Sequence, residues 1–199
     1  MKKKCRFSLI ALLLVGGALC TQTQAAIVFS DGFQSDNLNN WSTIGSGVLV
    51  ADPAGGGGYA LTFTTLASGG DVWSQPFSGG NYISFEYYGR TVGTGAGGFM
   101  GINGAWFAGD VPYGGNSILL VNDNSWHSYQ LYLPGASGEL MLELWGGSAS
   151  VPGNGFFRDI VVSTTPVPEP TTLIAGLGAL GLVLAGLRSR RSQVNRIGK

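Results

Sequence analysis

The sequence predicts an all-β domain, a two-sheet jelly roll or β-sandwich, set between two targeting segments. Three observations carry this. Residues 26–165 are rich in glycine, serine, asparagine, threonine and aromatics, contain no lysine and hold no long run of helix formers. Short runs alternate apolar and polar residues, the two-residue period of a half-buried strand. Glycine-rich stretches at 55–58, 97–98 and 146–147 separate those runs and suit tight reversals. No repeat of fixed period is present, so a solenoid is not expected. About 140 residues suffice to bury a two-sheet core without a disulfide.

In chain order, residues 1–25 read as a signal peptide. Lys2, Lys3, Lys4 and Arg6 precede an apolar run over 7–19, and polar residues follow. Thr23 and Ala25 supply small residues at −3 and −1, which places cleavage after Ala25. Both cysteines, Cys5 and Cys20, lie in this segment, so the processed chain is expected to carry no thiol. A lipid anchor at Cys20 is the alternative, but bulky Leu19 stands where a lipoprotein signal needs a small residue.

Within the domain, 82–87 reads as a strand with Ile83, Phe85 and Tyr87 inward. Residues 128–133 place Tyr129, Leu131 and Leu133 inward, and 139–145 bury Leu140, Leu142 and Leu144. The last strand is expected over 156–162, with further candidates over 58–65, 99–107 and 117–121. Residues 166–170 form a Pro-rich linker. An uncharged apolar run of 17 residues follows over 171–187, and a basic cytoplasmic tail over 188–199. That run makes roughly 25 Å of helix, short for a hydrocarbon core of about 30 Å. Four glycines lower its helix stability further.

Charge is partitioned. Nine of the 11 basic residues flank the two apolar runs, and residues 26–165 hold only Arg90 and Arg158 against ten carboxylates, a net charge of −8. Such a surface repels phosphate backbones, so no nucleic-acid partner is expected. Basic residues at both ends place both in the cytoplasm and the domain outside.

The order Val167-Pro168-Glu169-Pro170, apolar run, then Arg188, Arg190 and Arg191 resembles the PEP-CTERM sorting tail of exosortase substrates. The resemblance implies that Val167, Pro168, Glu169 and Pro170 are the sorting motif, and that the arginines stop transfer through the membrane. It implies as partners an exosortase-type membrane enzyme, the Sec machinery and signal peptidase. The expected route is export through an inner-membrane intermediate to the cell surface or extracellular matrix. A permanent single-pass anchor is the alternative.

The domain itself resembles extracellular jelly rolls of the laminin-IV type and their carbohydrate-binding relatives. The carrying residues are 31–41 (DGFQSDNLNNW), 72–77 (VWSQPF), 82–88, 126–129 (WHSY) and 157–160 (FRDI). The resemblance implies a structural Ca²⁺ between first and last strands, with Asp31 and Asp159 in the matching places. Gln34 stands where the family carries an acid.

Candidate chemistry is sparse. His127 is the one histidine, no motif surrounds it, and a structural role is expected. Glu139 and Glu143, four apart on one strand, stand about 13 Å apart, beyond the carboxyl separation of about 5–10 Å that glycosidases use. A cross-strand pair such as Glu86 with Glu143 stays open. Outward aromatics with acids nearby suit sugar stacking, and Tyr88, Tyr132 and Trp145 with Glu143 are the expected polysaccharide contacts. The expected function is therefore a non-enzymatic, exported matrix or surface protein that associates with exopolysaccharide. The alternatives are a structural or adhesive matrix component without a ligand site, and a weak glycan-active enzyme.

Overall fold

The computed structural model describes residues 25–91, 95–112, 116–146 and 150–167. The signal segment up to residue 24, Pro168, Glu169, Pro170, the apolar run and Arg188, Arg190 and Arg191 lie outside the described residues. Among the described residues there are strands and turns and no helix. The strands are β1 (Ile27–Asp31), β2 (Trp41–Thr43), β3 (Gly47–Ala51), β4 (Tyr59–Phe63), β5 (Val72–Ser74), β6 (Phe77–Gly89), β7 (Gly98–Ile102), β8 (Ala105–Gly109), β9 (Ile118–Leu119), β10 (Trp126–Gly138), β11 (Leu140–Leu144) and β12 (Gly155–Ser163).

They form the expected two-sheet sandwich. The first sheet runs β10-β6-β12-β4-β3, and the second β2-β5-β11-β7-β8-β9. β12 is long enough to take two partners along one edge. Phe157 pairs with Leu61 of β4 in its first half, and Ile160–Ser163 pair with β1 in its second. Alternation holds where it is expected. Ile83, Phe85 and Tyr87 face Leu140, Leu142 and Leu144 across one core, together with Phe33, Leu61, Phe63, Met100 and Phe157.

Two differences have simple causes. The single run expected over 99–107 is a hairpin, because Asn103 and Gly104 adopt φ of 49° and 84°, the two-residue reversal that Asn-Gly favours. β1, β2, β3 and β5 were not expected as strands; two are only three residues long, too short to show a period.

The two ends of the domain meet. Thr164 donates its N–H to the carbonyl of Ala26 at 3.0 Å, and Ile27 pairs with Ser163. One pole therefore carries both chain exits, while the loop at 122–125 lies at the other, where the Asn124 N–H donates to the carbonyl of Gly89 and Gly89 pairs with Gly155 at the start of β12.

Candidate functional site: the outer face of the second sheet

In β11 Leu140, Leu142 and Leu144 point into the sandwich, so Met141 and Glu143 point out. Register sets their neighbours. Trp73 lies opposite Met141, Met141 opposite Gly101, and Gly101 opposite Trp106, so one row crosses four strands. The next row holds Glu143, Phe99 and Gly109, and Trp145 continues the line of β11 just past its end. Three of the chain's five tryptophans thus share one face, all half-buried.

Glycine seats the rings. A Cβ on Gly70 would lie 2.8, 2.9 and 3.0 Å from Cζ2, Cε2 and Nε1 of Trp73, so that indole lies face-on to the backbone. A Cβ on Gly101 would lie 2.4 Å from Met141 Cε and 2.9 Å from Trp106 Cε3. Phe99 stands between the other two tryptophans, 5.6 Å from Trp106 and 5.8 Å from Trp145 at interplanar angles of 69° and 70°. Edge-to-face packing of this kind holds rings rigid. Trp73 and Trp106 are three strand spacings apart, roughly 14 Å, and Met141 and Gly101 between them are buried, Met141 at 0% exposed.

Glu143 is 1% exposed and fastens the neighbouring loop. Its Oε2 accepts the Gly70 N–H at 2.7 Å, while Ala67 and Asp71 donate N–H to the carbonyls of Leu144 and Leu142. Burial pushes its carboxyl above the ordinary range, the Gly70 bond pulls it down and the charge of Asp71 pushes it up. Asp71 is itself held by the N–H and hydroxyl of Ser46.

The outer face of the first sheet is a locked network. Cross-strand rows there read Trp126-Tyr88-Phe156 and Ser128-Glu86-Arg158. Arg158 donates from Nε to Glu86 Oε2 at 2.6 Å and from Nη1 to Asp52 Oδ2 at 2.8 Å, with its guanidinium 3.9 Å from the Trp126 ring centroid. Trp126 Nε1 and the Ala54 N–H both donate to Asp52 Oδ1, and Ser128 Oγ donates to Glu86 Oε1. Burial works against the charged form of Asp52, but Trp126, Ala54 and Arg158 outweigh it and hold the carboxyl below the ordinary range. A bulge follows, with Asp159 at φ 49° and its Oδ2 3.6 Å from Arg158 Nε. Its carboxyl is raised by burial and by Glu86.

These positions divide the expected contacts. Trp145 and Glu143 lie on the second sheet's face, Tyr88 and Tyr132 on the first. Tyr88, expected to be exposed, is 6% exposed, because Trp126 and Phe156 pack against it at 5.5 and 5.7 Å. Glu143 is likewise closed off by its loop. Tyr132 is 61% exposed, beside Tyr82 at 5.0 Å. Glu86 and Glu143 stand in different sheets and make no carboxylate pair. His127 Nε2 lies 2.9 Å from Asp123 Oδ1, a local turn contact. Trp73 and Trp106, not singled out from the sequence, complete the face. Their signal was alternation between the buried neighbours Val72 and Ser74, and next to buried Phe107.

Asp31 and Asp159, the positions expected for calcium, both meet protein groups in this structure. Asp31 Oδ1 accepts the Phe33 N–H at 2.8 Å and Oδ2 the indole N–H of Trp41 at 2.7 Å. Asp159 leans on Arg158. Among the described residues no cluster of three or more His, Cys, Asp or Glu could hold a metal.

No protein-family model matches the chain, and no curated protein sequence does. Among solved structures it is similar to the tandem CBM22-1–CBM22-2 domain of Paenibacillus barcinonensis Xyn10C, at 16% identity and a TM-score of 0.42, over 70% of this chain and 50% of that one. It is also similar to the carbohydrate-binding module CBM6cm-2 of Cellvibrio mixtus lichenase 5A, in complex with cellotriose, at 15% identity and a TM-score of 0.38, over 71% of this chain and 100% of that one. The chain spans half the length of the tandem domain.

Proposed function

We propose that this domain binds polysaccharide on the outer face of the second sheet, without catalysis, in a protein exported and sorted through its C-terminal tail. The observation that carries the binding reading is the row Trp73, Met141, Gly101 and Trp106, with Trp145 beside it: three half-buried indoles on one sheet face, with glycine beneath Trp73 and Trp106. Rigid aromatic faces offer stacking to the apolar faces of sugars at little entropic cost. Three of the carboxylates on the two outer faces are already engaged. Glu143 is committed to its loop, and Asp52 and Glu86 are committed to Arg158.

Glycan-array screening of the full chain, then calorimetric titration of a hit, tests this. Trp73→Ala and Trp106→Ala should each weaken binding by roughly 10-fold or more, as loss of a central aromatic anchor does, while Tyr132→Ala leaves it unchanged. Absence of binding to every polysaccharide offered would overturn the reading in favour of a structural matrix component. Sorting rests on the tail alone, in which Val167 to Pro170, the apolar run and Arg188, Arg190 and Arg191 follow in order. Intact-mass measurement tests it: a mature form still ending at Lys199, in cells with an active exosortase-type enzyme, refutes it.

A further inference from the structure

We propose that Tyr82 and Tyr132 form an oxidative cross-linking site, at which a peroxide-driven haem peroxidase makes a dityrosine bond joining β6 to β10 within one chain. The two residues stand directly opposite each other in register, where Cβ atoms are about 5 Å apart. Their ring centroids are 5.0 Å apart at an interplanar angle of 45°, little beyond the separation of two directly bonded phenyl rings. Tyr132 lies on the edge strand of the first sheet and is 61% exposed, so an oxidant reaches its phenol from solvent. Tyr82 beside it is half-buried. The rings of Tyr87, Tyr88 and Tyr129 pack on other partners: Phe157, then Trp126 and Phe156, then Phe85.

The chemistry balances with peroxide as the oxidant. Each phenol gives up one electron and one proton, leaving two phenoxyl radicals side by side. A carbon–carbon bond forms between ring carbons ortho to the two oxygens. The hydrogen on each of those carbons then moves to oxygen, which restores both phenols. Two phenols and one hydrogen peroxide thus yield one biphenol and two waters. Holding the rings together makes the coupling unimolecular, which favours it over encounter between chains. Placement gives the bond a purpose. Tyr82–Tyr132 is the last rung of the regular β6–β10 ladder, since the register shifts between Tyr132 and Ala136. The adjacent Asn81 holds the exit of the chain, donating from Nδ2 to the Thr164 carbonyl at 3.1 Å and accepting the Gly135 N–H at 3.1 Å. Residues 26–165 contain no cysteine, so a dityrosine supplies there the covalent tie that a disulfide gives other exported domains. The pair lies on the outer face of the first sheet, away from the indole row.

The test treats the full chain, in detergent micelles and with Cys5 and Cys20 alkylated, with a haem peroxidase and hydrogen peroxide. Dityrosine is read by its blue fluorescence, and peptide mapping locates the bond. The expected product is a monomer lighter by two hydrogens, with the peptides holding Tyr82 and Tyr132 joined and a yield per chain that does not depend on protein concentration. Tyr82→Phe and Tyr132→Phe, which keep the rings and their packing, should each abolish that joined peptide pair, and circular dichroism checks that both variants keep the fold. Three results overturn the proposal. One is no dityrosine in the wild type under conditions that couple free tyrosine. Another is a fluorescence yield equal to wild type in both phenylalanine variants. The third is a bond found only in covalent dimers and rising with concentration, which assigns the coupling to two copies.

Discussion

Replacing Arg158 by methionine tests whether the first sheet's outer face is held by charge. The Asp52 side chain is 2% exposed and the Arg158 side chain 20%, so the pair is nearly out of water. Methionine keeps an apolar stem against Trp126 but leaves Asp52 without its cation. Breaking a buried pair on one side costs about 3–5 kcal/mol. Here Asp52 retains the Trp126 and Ala54 N–H bonds, and Glu86 can turn to solvent, which brings the expectation to about 2–3 kcal/mol. For a domain of this size that lowers Tm by roughly 6–15 °C. The pH dependence follows from the sign of the shift. Asp52 is held below its unfolded value, so its contribution is present above the ordinary carboxylate range and is lost as pH falls through the lowered folded value, below about pH 4. Arg158→Met should flatten that acid limb. Thermal unfolding by circular dichroism at pH 7 and through the acid range measures both. A variant melting within 2 °C of wild type, with an unaltered acid limb, would refute the argument.

Gly101→Ala should cost about 1–3 kcal/mol through overpacking, since the new methyl would meet Met141 Cε at 2.4 Å and the Ala105 carbonyl oxygen at 2.5 Å; denaturant unfolding checks it, and glycan affinity should fall with the displaced Trp106. Glu143 is raised in the folded state, so its charged form opposes folding. Its contribution should grow as pH falls through the folded value toward the ordinary carboxylate range, and Glu143→Gln should lose that part of the pH dependence; urea midpoints of the two proteins compared between pH 7 and 4 decide, and identical pH profiles contradict it. Chelation by EDTA should leave Tm unchanged, because Asp31 already accepts two N–H bonds. Asp31→Ala should instead cost about 1–3 kcal/mol by stranding the Trp41 indole N–H. A chelator-induced drop in Tm would restore a metal to the domain.

Side-chain alternation told correctly which residues face the core. Ile83, Phe85, Tyr87, Leu140, Leu142 and Leu144 are all buried as the two-residue period requires. It could not tell which sheet a strand joins, because period fixes the side of a strand and pairing fixes its neighbours. Tyr88 and Glu143 were therefore grouped as one surface although they lie on opposite outer faces. Exposure failed for the same reason: Trp126 and Phe156 cover Tyr88 only because Trp126↔Tyr88↔Phe156 are in register across three strands. Trp73 was quoted within 72–77 but not among the expected contacts, because alternation over only Val72-Trp73-Ser74 is too short to assign a face. The Asn103-Gly104 reversal was legible, since both residue types favour positive φ, and it splits a run that composition alone joins.

The two outer faces show how a domain with two cations distributes them. Arg158 joins Asp52, Glu86 and Trp126, and Arg90 lies over Phe156 at 5.1 Å, so both cations strengthen the first sheet's face. The second sheet's face receives neither, and of its outward positions Glu143 is turned into its loop. Buried ion pairs are costly to assemble and rigid once made, which suits a face that must keep its shape. A face of indoles on glycine is different: it leaves apolar surface that water wets poorly and that a flat, hydroxylated partner can cover. Any partner gains there from contact area and shape, with no cation on offer to a carboxylated or sulfated chain. The net charge of −8 adds repulsion for such chains. The chemistry of the two faces thus separates what stiffens the domain from what is left to bind.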